Sequence, residues 1–221
     1  MILEKEYGID PGCILYSPIG TDLSLFRYDE EDRIRLRERL GIRLDETVLL
    51  YTGKLNYRKN PHLILEAVSM LEGKITAPLR LVFVGAADRD YREQKLNVQF
   101  SGKNIGIIYR DAVPVSELYK WYSMADFAVF PQENTLSAMD AQLCSLPVIM
   151  TADMTNNERL AEGGLTYEQG SMQDLSAQIY RLISDPALRK SLGERGQAYV
   201  KEKYDYRKIV REMERDLGLI E

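Results

Sequence analysis

Short, almost wholly apolar runs alternate along the chain with longer stretches in which apolar residues recur every three or four positions. The runs are "TVLLYTG" (47–53), "LRLVFVG" (79–85), "IGIIYRD" (105–111), "FAVFP" (127–131) and "PVIMT" (147–151). Their length and β-branched or aromatic content predict strands, and the lack of polar alternation predicts a sheet covered on both faces. The stretches between them, "PHLILEAVSML" (61–71), "SELYKWYSM" (116–124) and "TLSAMDAQLCS" (135–145), carry helical spacing. Leu63, Ala67 and Leu71, with Ile64 and Val68 beside them, form one apolar stripe, and Trp121 and Tyr122 fall on an inward side. Asn60 reads as a helix cap before Pro61, and Asp185 before Pro186 opens a second clear helix over 187–204. "YRKIVREMERDLGLI" (206–220) predicts a last helix. This rhythm is that of an α/β fold, a Rossmann-like parallel sheet with helices on both faces.

A length of 221 residues allows one large domain or two small ones. The net charge of -5 and a pI near 5.2 argue against nucleic acid or an anionic membrane as a general partner, so any anion must be held locally. Cys13 and Cys144 have no metal-ligand spacing with each other or with the single histidine, which predicts a reduced, cytoplasmic chain. The start, "MILEKEYGIDPG", lacks the apolar core of a signal peptide, and no run approaches the ~18 apolar residues of a membrane helix.

Within this pattern "YTGKLNYRKN" (51–60) is unusual, because Gly53, Lys54, Arg58 and Lys59 gather where a strand ends and a helix begins. Ligands of open α/β sheets sit beyond the carboxyl ends of the strands, where helix N-termini also favour negative charge. By itself the loop reads equally as a phosphate site and as a solvated connection. Asp88 and Asp90 could hold a divalent cation, but a helix cap near Tyr91 is the plainer expectation. His62 reads as a surface or edge residue. Glu117, Glu133 and Asp140 are too scattered for a glycosidase pair. Tyr109 ends a strand and is therefore a candidate to lie beside a bound ligand.

Several stretches together resemble the C-terminal, donor-binding half of the retaining GT-B glycosyltransferases, the glycosyl transferases group 1 or family 4 type. Gly53, Lys54 and Lys59 are similar to the family's glycine and two cations that hold the diphosphate of a sugar nucleotide. "SPIGTD" (17–22), with Gly20, resembles the turn that leads in from the hinge. "FPQENTLSAMDAQLCSLPVI" (130–149) resembles the Glu-x7-Glu segment, and 184–206 the usual tail of the domain. The resemblance implies that Asp140 binds the ribose and that Lys54 and Lys59 stabilise the departing diphosphate. It implies that Gln132 or Glu133 contacts the sugar, Glu133 being the candidate catalytic carboxylate. Backbone amides near Asn134, Thr135 and Leu136 would receive the sugar or phosphate. The sequence departs from the family in having Gln132 at the first acidic position, and Glu133 and Thr135 where glycines are usual.

The same resemblance implies a division into a hinge segment (1–25), a nucleotide-sugar-binding domain (26–203) and a C-terminal helix (204–221) that packs toward an acceptor-binding N-terminal domain absent from this chain. The donor would be a nucleotide-diphosphate sugar, held without a metal or other cofactor, and used in polysaccharide biosynthesis with retention at the anomeric carbon. Any membrane association would run through the missing domain, without which this chain would be inactive. A 2-epimerase-type isomerase and a non-catalytic sugar-nucleotide-binding module are the alternatives.

Overall fold

The computed structural model describes residues 2–15, 17–100, 102, 104–132 and 135–220. Among them, β1 (Thr47–Thr52), β2 (Leu79–Val84), β3 (Ile105–Arg110), β4 (Phe127–Phe130), β5 (Val148–Thr151) and β6 (Gly164–Tyr167) form one sheet in the order β3-β2-β1-β4-β5-β6. Every neighbouring pair is parallel. The helices are α1 (Ile2–Tyr7), α2 (Glu30–Leu40), α3 (His62–Ser69), α4 (Arg89–Lys95), α5 (Leu118–Met124), α6 (Ser137–Leu143), α7 (Met154–Leu160), α8 (Met172–Ser184), α9 (Pro186–Lys203) and α10 (Tyr206–Asp216). The five apolar runs became β1 to β5, in the expected Rossmann-like arrangement.

Burial explains why the pattern was readable in the middle of the sheet and faint at its rim. β4 and β5 are buried at every position and β1 at all but its first, because helices cover both faces. The edge strands β3 and β6 are half-buried along most of their length, and β6, "GLTY", carries too few apolar residues to stand out. Asp185 caps α9 as expected, its Oδ1 accepting the Leu188 N–H at 2.8 Å ahead of Pro186. Trp121 and Tyr122 lie in the core. The last helix stops at Asp216, short of the predicted 220. No helix among the described residues is long and apolar enough to cross a membrane.

Chain order reverses at β1. β2 and β3 build outward on one side through α3 and α4, and α5 then returns the chain to β4 on the other side. β1 and β4 pair over only two positions, Leu49 with Phe127 and Leu50 with Ala128. Beyond Leu50 the two strands run on without a ladder, and the switch point at their carboxyl ends is where the ligand crevice of an open parallel sheet usually lies.

At the amino end the same two strands are tied by a buried charge. Arg37, on the mostly charged helix α2, is fully buried. Its Nε donates to the Met124 carbonyl at 2.8 Å, Nη1 to the Glu46 carbonyl at 2.9 Å, and Nη2 to Asp126 Oδ2 at 2.8 Å. That oxygen also accepts the Val48 N–H at 2.7 Å, while Oδ1 takes Arg33 Nη2 at 2.8 Å. Burial lowers the Arg37 pKa from its ordinary value and the Asp126 charge opposes that shift. Removing one partner of such a pair strands a buried charge, so Asp126→Ala should lose about 3–5 kcal/mol of unfolding free energy in a urea titration.

Candidate functional site

The loop after β1 is built on two glycines. Gly53 (φ +141°) follows β1, and its N–H donates to the Val84 carbonyl at 3.0 Å. Gly85 (φ +155°) follows β2, and a Cβ there would stand 1.8 Å from the Gly53 carbonyl oxygen. Only glycine allows the two loops this contact. Leu55, buried, then pins the loop to its neighbour: its N–H donates to the Ala86 carbonyl at 2.9 Å and its carbonyl accepts the Asp88 N–H at 3.1 Å. Lys54 stands exposed between these anchors, with its carbonyl fixed by the Tyr51 hydroxyl at 2.9 Å.

The second half of the loop closes on Asn56, whose Oδ1 accepts the Lys59 N–H at 3.0 Å and whose carbonyl accepts the Asn60 N–H at 2.9 Å. Lys59 is half-buried and Arg58 exposed. Asn60 does not cap the following helix with its side chain, contrary to expectation. It takes a left-handed conformation (φ +45°), and its amide Nδ2 donates across the crevice to Gln132 Oε1. Pro61 occupies the cap position, and the Asn60 carbonyl accepts the Leu63 N–H at 3.1 Å. His62 is not a surface residue either: it is 8% exposed, with Nδ1 2.7 Å from the Tyr91 hydroxyl. Burial lowers its pKa, and Glu66 partly offsets the shift.

Across the crevice, the Pro131 carbonyl accepts the Tyr167 hydroxyl, and Gln132 is held by Asn60. Glu133 and Asn134 lie outside the described residues. Thr135 Oγ1 accepts the Ser137 N–H at 3.2 Å, so that amide is already used, and Leu136 is exposed at the start of α6. Asp140 follows on α6. It accepts the Thr21 hydroxyl on Oδ1 at 2.6 Å and adjoins Tyr122, whose own hydroxyl lies 3.0 Å from Thr52 Oγ1 at the end of β1. Burial raises the Asp140 pKa to about 6, against the lowering effect of Thr21.

Tyr109 lies two strands away on β3, stacked on Phe83 at 5.3 Å, with its hydroxyl donating to the Leu96 carbonyl at 2.8 Å. It lines a recess of about 170 Å³ together with Leu55, Gly85, Ala87, Arg110 and Asp111, which joins it to the back of the lysine loop. Gly20 has a packing reason of its own: a Cβ there would lie 2.7 Å from Tyr206 Cα, so the turn could not close on α10. Asp88 holds the cap position of α4, but its side chain makes no capping hydrogen bond, and the helix starts at Arg89 rather than nearer Tyr91. No group of three His, Cys, Asp or Glu side chains with metal-binding geometry occurs among the described residues.

The fold thus ties the Gly53–Asn60 loop to Gln132 through Asn60, and relates Asp140 to the end of β1 through Tyr122 and Thr52, with Tyr109 in a recess beside Leu55 and Gly85. Sequence reasoning missed Thr21, Gly85 and the bridging role of Asn60. Gly85 had a visible signal, since it ends β2 as Gly53 ends β1. Chemically, two lysines on a glycine-anchored loop can neutralise a diphosphate, and a half-buried carboxylate can accept hydroxyl hydrogen bonds.

Residues 32–199 match the family described as "Glycosyl transferases group 1". A D-inositol 3-phosphate glycosyltransferase of Geodermatophilus obscurus is 33% identical over 160 residues, covering 68% of this chain and 35% of that protein. A second of that description, from Streptomyces bingchenggensis, is 28% identical over 219 residues, 93% of this chain and 48% of the relative. The chain therefore spans a third to a half of the length of these curated relatives. Among solved structures, HepE of Anabaena in complex with UDP has a TM-score of 0.80 at 18% identity, over 98% of this chain and 60% of that one. That likeness is one of fold. With the family match over most of its length and the fold of a GT-B C-terminal half, the chain belongs to the glycosyl transferases group 1 family.

Proposed function

We propose that this chain is the donor-binding part of a glycosyltransferase and holds a nucleotide-diphosphate sugar in the crevice between β1 and β4. The observation that carries the reading is the Asn60–Gln132 bridge, which joins the lysine loop after β1 to Gln132 after β4, the two strands at the switch point. Lys54 and Lys59 bind the diphosphate, the Asp140 carboxylate accepts from the ribose, and the base lies toward the Tyr109 recess. By the family resemblance Gln132 and Glu133 contact the sugar, together with the amides of 134–136; Glu133 and Asn134 lie outside the described residues. The UDP bound to a structural relative of the same fold supports a nucleoside diphosphate as the ligand class.

In transfer, the bond from the anomeric carbon to the diphosphate oxygen breaks as a bond to the acceptor hydroxyl forms. Charge then grows on the departing diphosphate, where Lys54 and Lys59 stabilise it without a metal ion. Retention at the anomeric carbon rests on the family resemblance. The acceptor is held by a further domain of similar size, in keeping with the length of the relatives.

Calorimetric titration with UDP, GDP and ADP tests the reading. At least one should bind, equally well with and without a chelator. Lys54→Ala and Lys59→Ala should each weaken the preferred diphosphate by about tenfold to a hundredfold, equivalent to ~1.5–3 kcal/mol, the range for hydrogen bonds to charged groups. Three lysine-variant and parent isotherms that coincide would return the loop to a solvated connection.

Asp140→Ala separates nucleoside reading from loop support. It should weaken the nucleoside diphosphate by roughly tenfold while leaving inorganic pyrophosphate almost unchanged. Equal losses for both ligands would show that the residue only supports the fold.

A further inference from the structure

Thr21 meets Asp140 across 119 residues of sequence. The turn that carries it is fixed independently of the side chain: the Thr21 N–H donates to the Tyr204 carbonyl at 2.8 Å, and its carbonyl accepts the Tyr206 N–H at 3.2 Å. The hydroxyl is thus aimed by the backbone, and the residue is 7% exposed. Among the described residues, the one hydrogen bond to the Asp140 carboxylate is this one, on Oδ1. The residue is half-buried, and among the described residues no hydrogen bond engages Oδ2.

We propose that Thr21 is a positioning residue for Asp140: by holding Oδ1 it fixes the plane of the carboxylate and leaves Oδ2 as the acceptor for a ribose hydroxyl. This rests on the donor-binding reading above. A carboxylate on a short side chain can rotate about its last bond, and an acceptor that must meet one hydroxyl of a diol gains from being held beforehand. The hydroxyl also favours the charged form, since it donates to the carboxylate while burial opposes the charge.

The groups around Asp140 leave it to titrate alone near neutrality. From α5 it faces Tyr122, and one turn along α6 Cys144, with Arg27 beyond; burial pushes both the phenol and the thiol far above neutral pH. α9 meets α6 through the uncharged Gln197, on the Leu143 carbonyl, and α7 through the Arg159 carbonyl, on Gln142. On the turn itself, Asp22 is engaged with Ser24 and Asp205 with the Arg207 N–H. An ionised carboxylate is the stronger acceptor for a ribose hydroxyl, so affinity should fall as pH drops through about 6. Loss of the Thr21 hydroxyl removes a lowering influence and should move that midpoint up.

The experiment titrates the full chain between pH 5 and 9 with UDP-glucose, GDP-mannose and ADP-glucose, whose diphosphate diesters do not change charge in that range. For whichever binds, Thr21→Val should shift the pH midpoint of affinity upward by about one unit. Thr21→Ser should restore the parent profile, and Asp140→Asn should be weak and flat with pH. Melting curves confirm that each variant is folded; should Thr21→Val fail that check, Thr21→Ala carries the same expectation. A Thr21→Val profile that coincides with the parent's, while Asp140→Asn weakens binding, overturns the role of Thr21 and leaves the donor site standing. Asp140→Asn retaining the parent's slope assigns the titration to another group, His62 above all, and also overturns it. If none of the three nucleotides binds the parent, the donor-binding reading fails first.

Discussion

The carboxyl-edge crevice depends on β1 and β4 being held together at one end and released at the other. Asp126 does the holding. It stands immediately before β4, accepts the Val48 N–H at the start of β1, and is itself gripped by Arg33 and Arg37 of α2. After two paired positions the ladder stops, and beyond it the contacts between these elements are made by side chains, Tyr51 against Phe130 and the Thr52 hydroxyl against that of Tyr122. A full ladder would have satisfied more backbone groups and left no room for a ligand. A buried arginine is a costly way to fasten a sheet, and it works here because Asp126 pairs it and carbonyl groups of Met124, Arg43 and Glu46 take up the remaining guanidinium protons.

The lysine loop is stiff for a different reason. Its charged side chains stand on a backbone that is committed at every turn: Gly53 against Gly85, Leu55 in a bridge to Ala87, and Asn56 accepting twice. Asn60 completes the set in a left-handed conformation that asparagine tolerates better than most residues. Its side chain, freed from capping, reaches Gln132 on the far wall. Local backbone strain and a cross-crevice contact therefore meet in one residue, an arrangement typical of loops that must present charge in a fixed place.

Asp140 shows the opposite balance. Burial works against its charge, while the turn at Thr21 brings it one hydrogen bond and α5 the phenol of Tyr122. The result is a carboxyl group with its pKa raised to about 6, on the helix that follows β4 at the switch point. Groups displaced from their ordinary pKa in a cleft are frequent at functional sites, and here geometry and displacement point to the same residue.

The sequence by itself determined the architecture, because "TVLLY", "LRLVFV", "IGIIY", "FAVF" and "VIMT" are apolar on both faces and a covered parallel sheet is the arrangement that buries such strands. It also singled out the lysine loop and Asp140 as candidates, through chain order and family resemblance. It was silent on α2, where an arginine occupies a core position that apolar periodicity cannot reveal, and on β6, which is too polar to register. The bond from Thr21 to Asp140, the Asn60–Gln132 bridge and the burial of His62 belong to tertiary structure alone. Each joins residues distant in the chain or selects one of several hydrogen-bonding options, and local propensity has no information about which partner the rest of the fold will bring within reach.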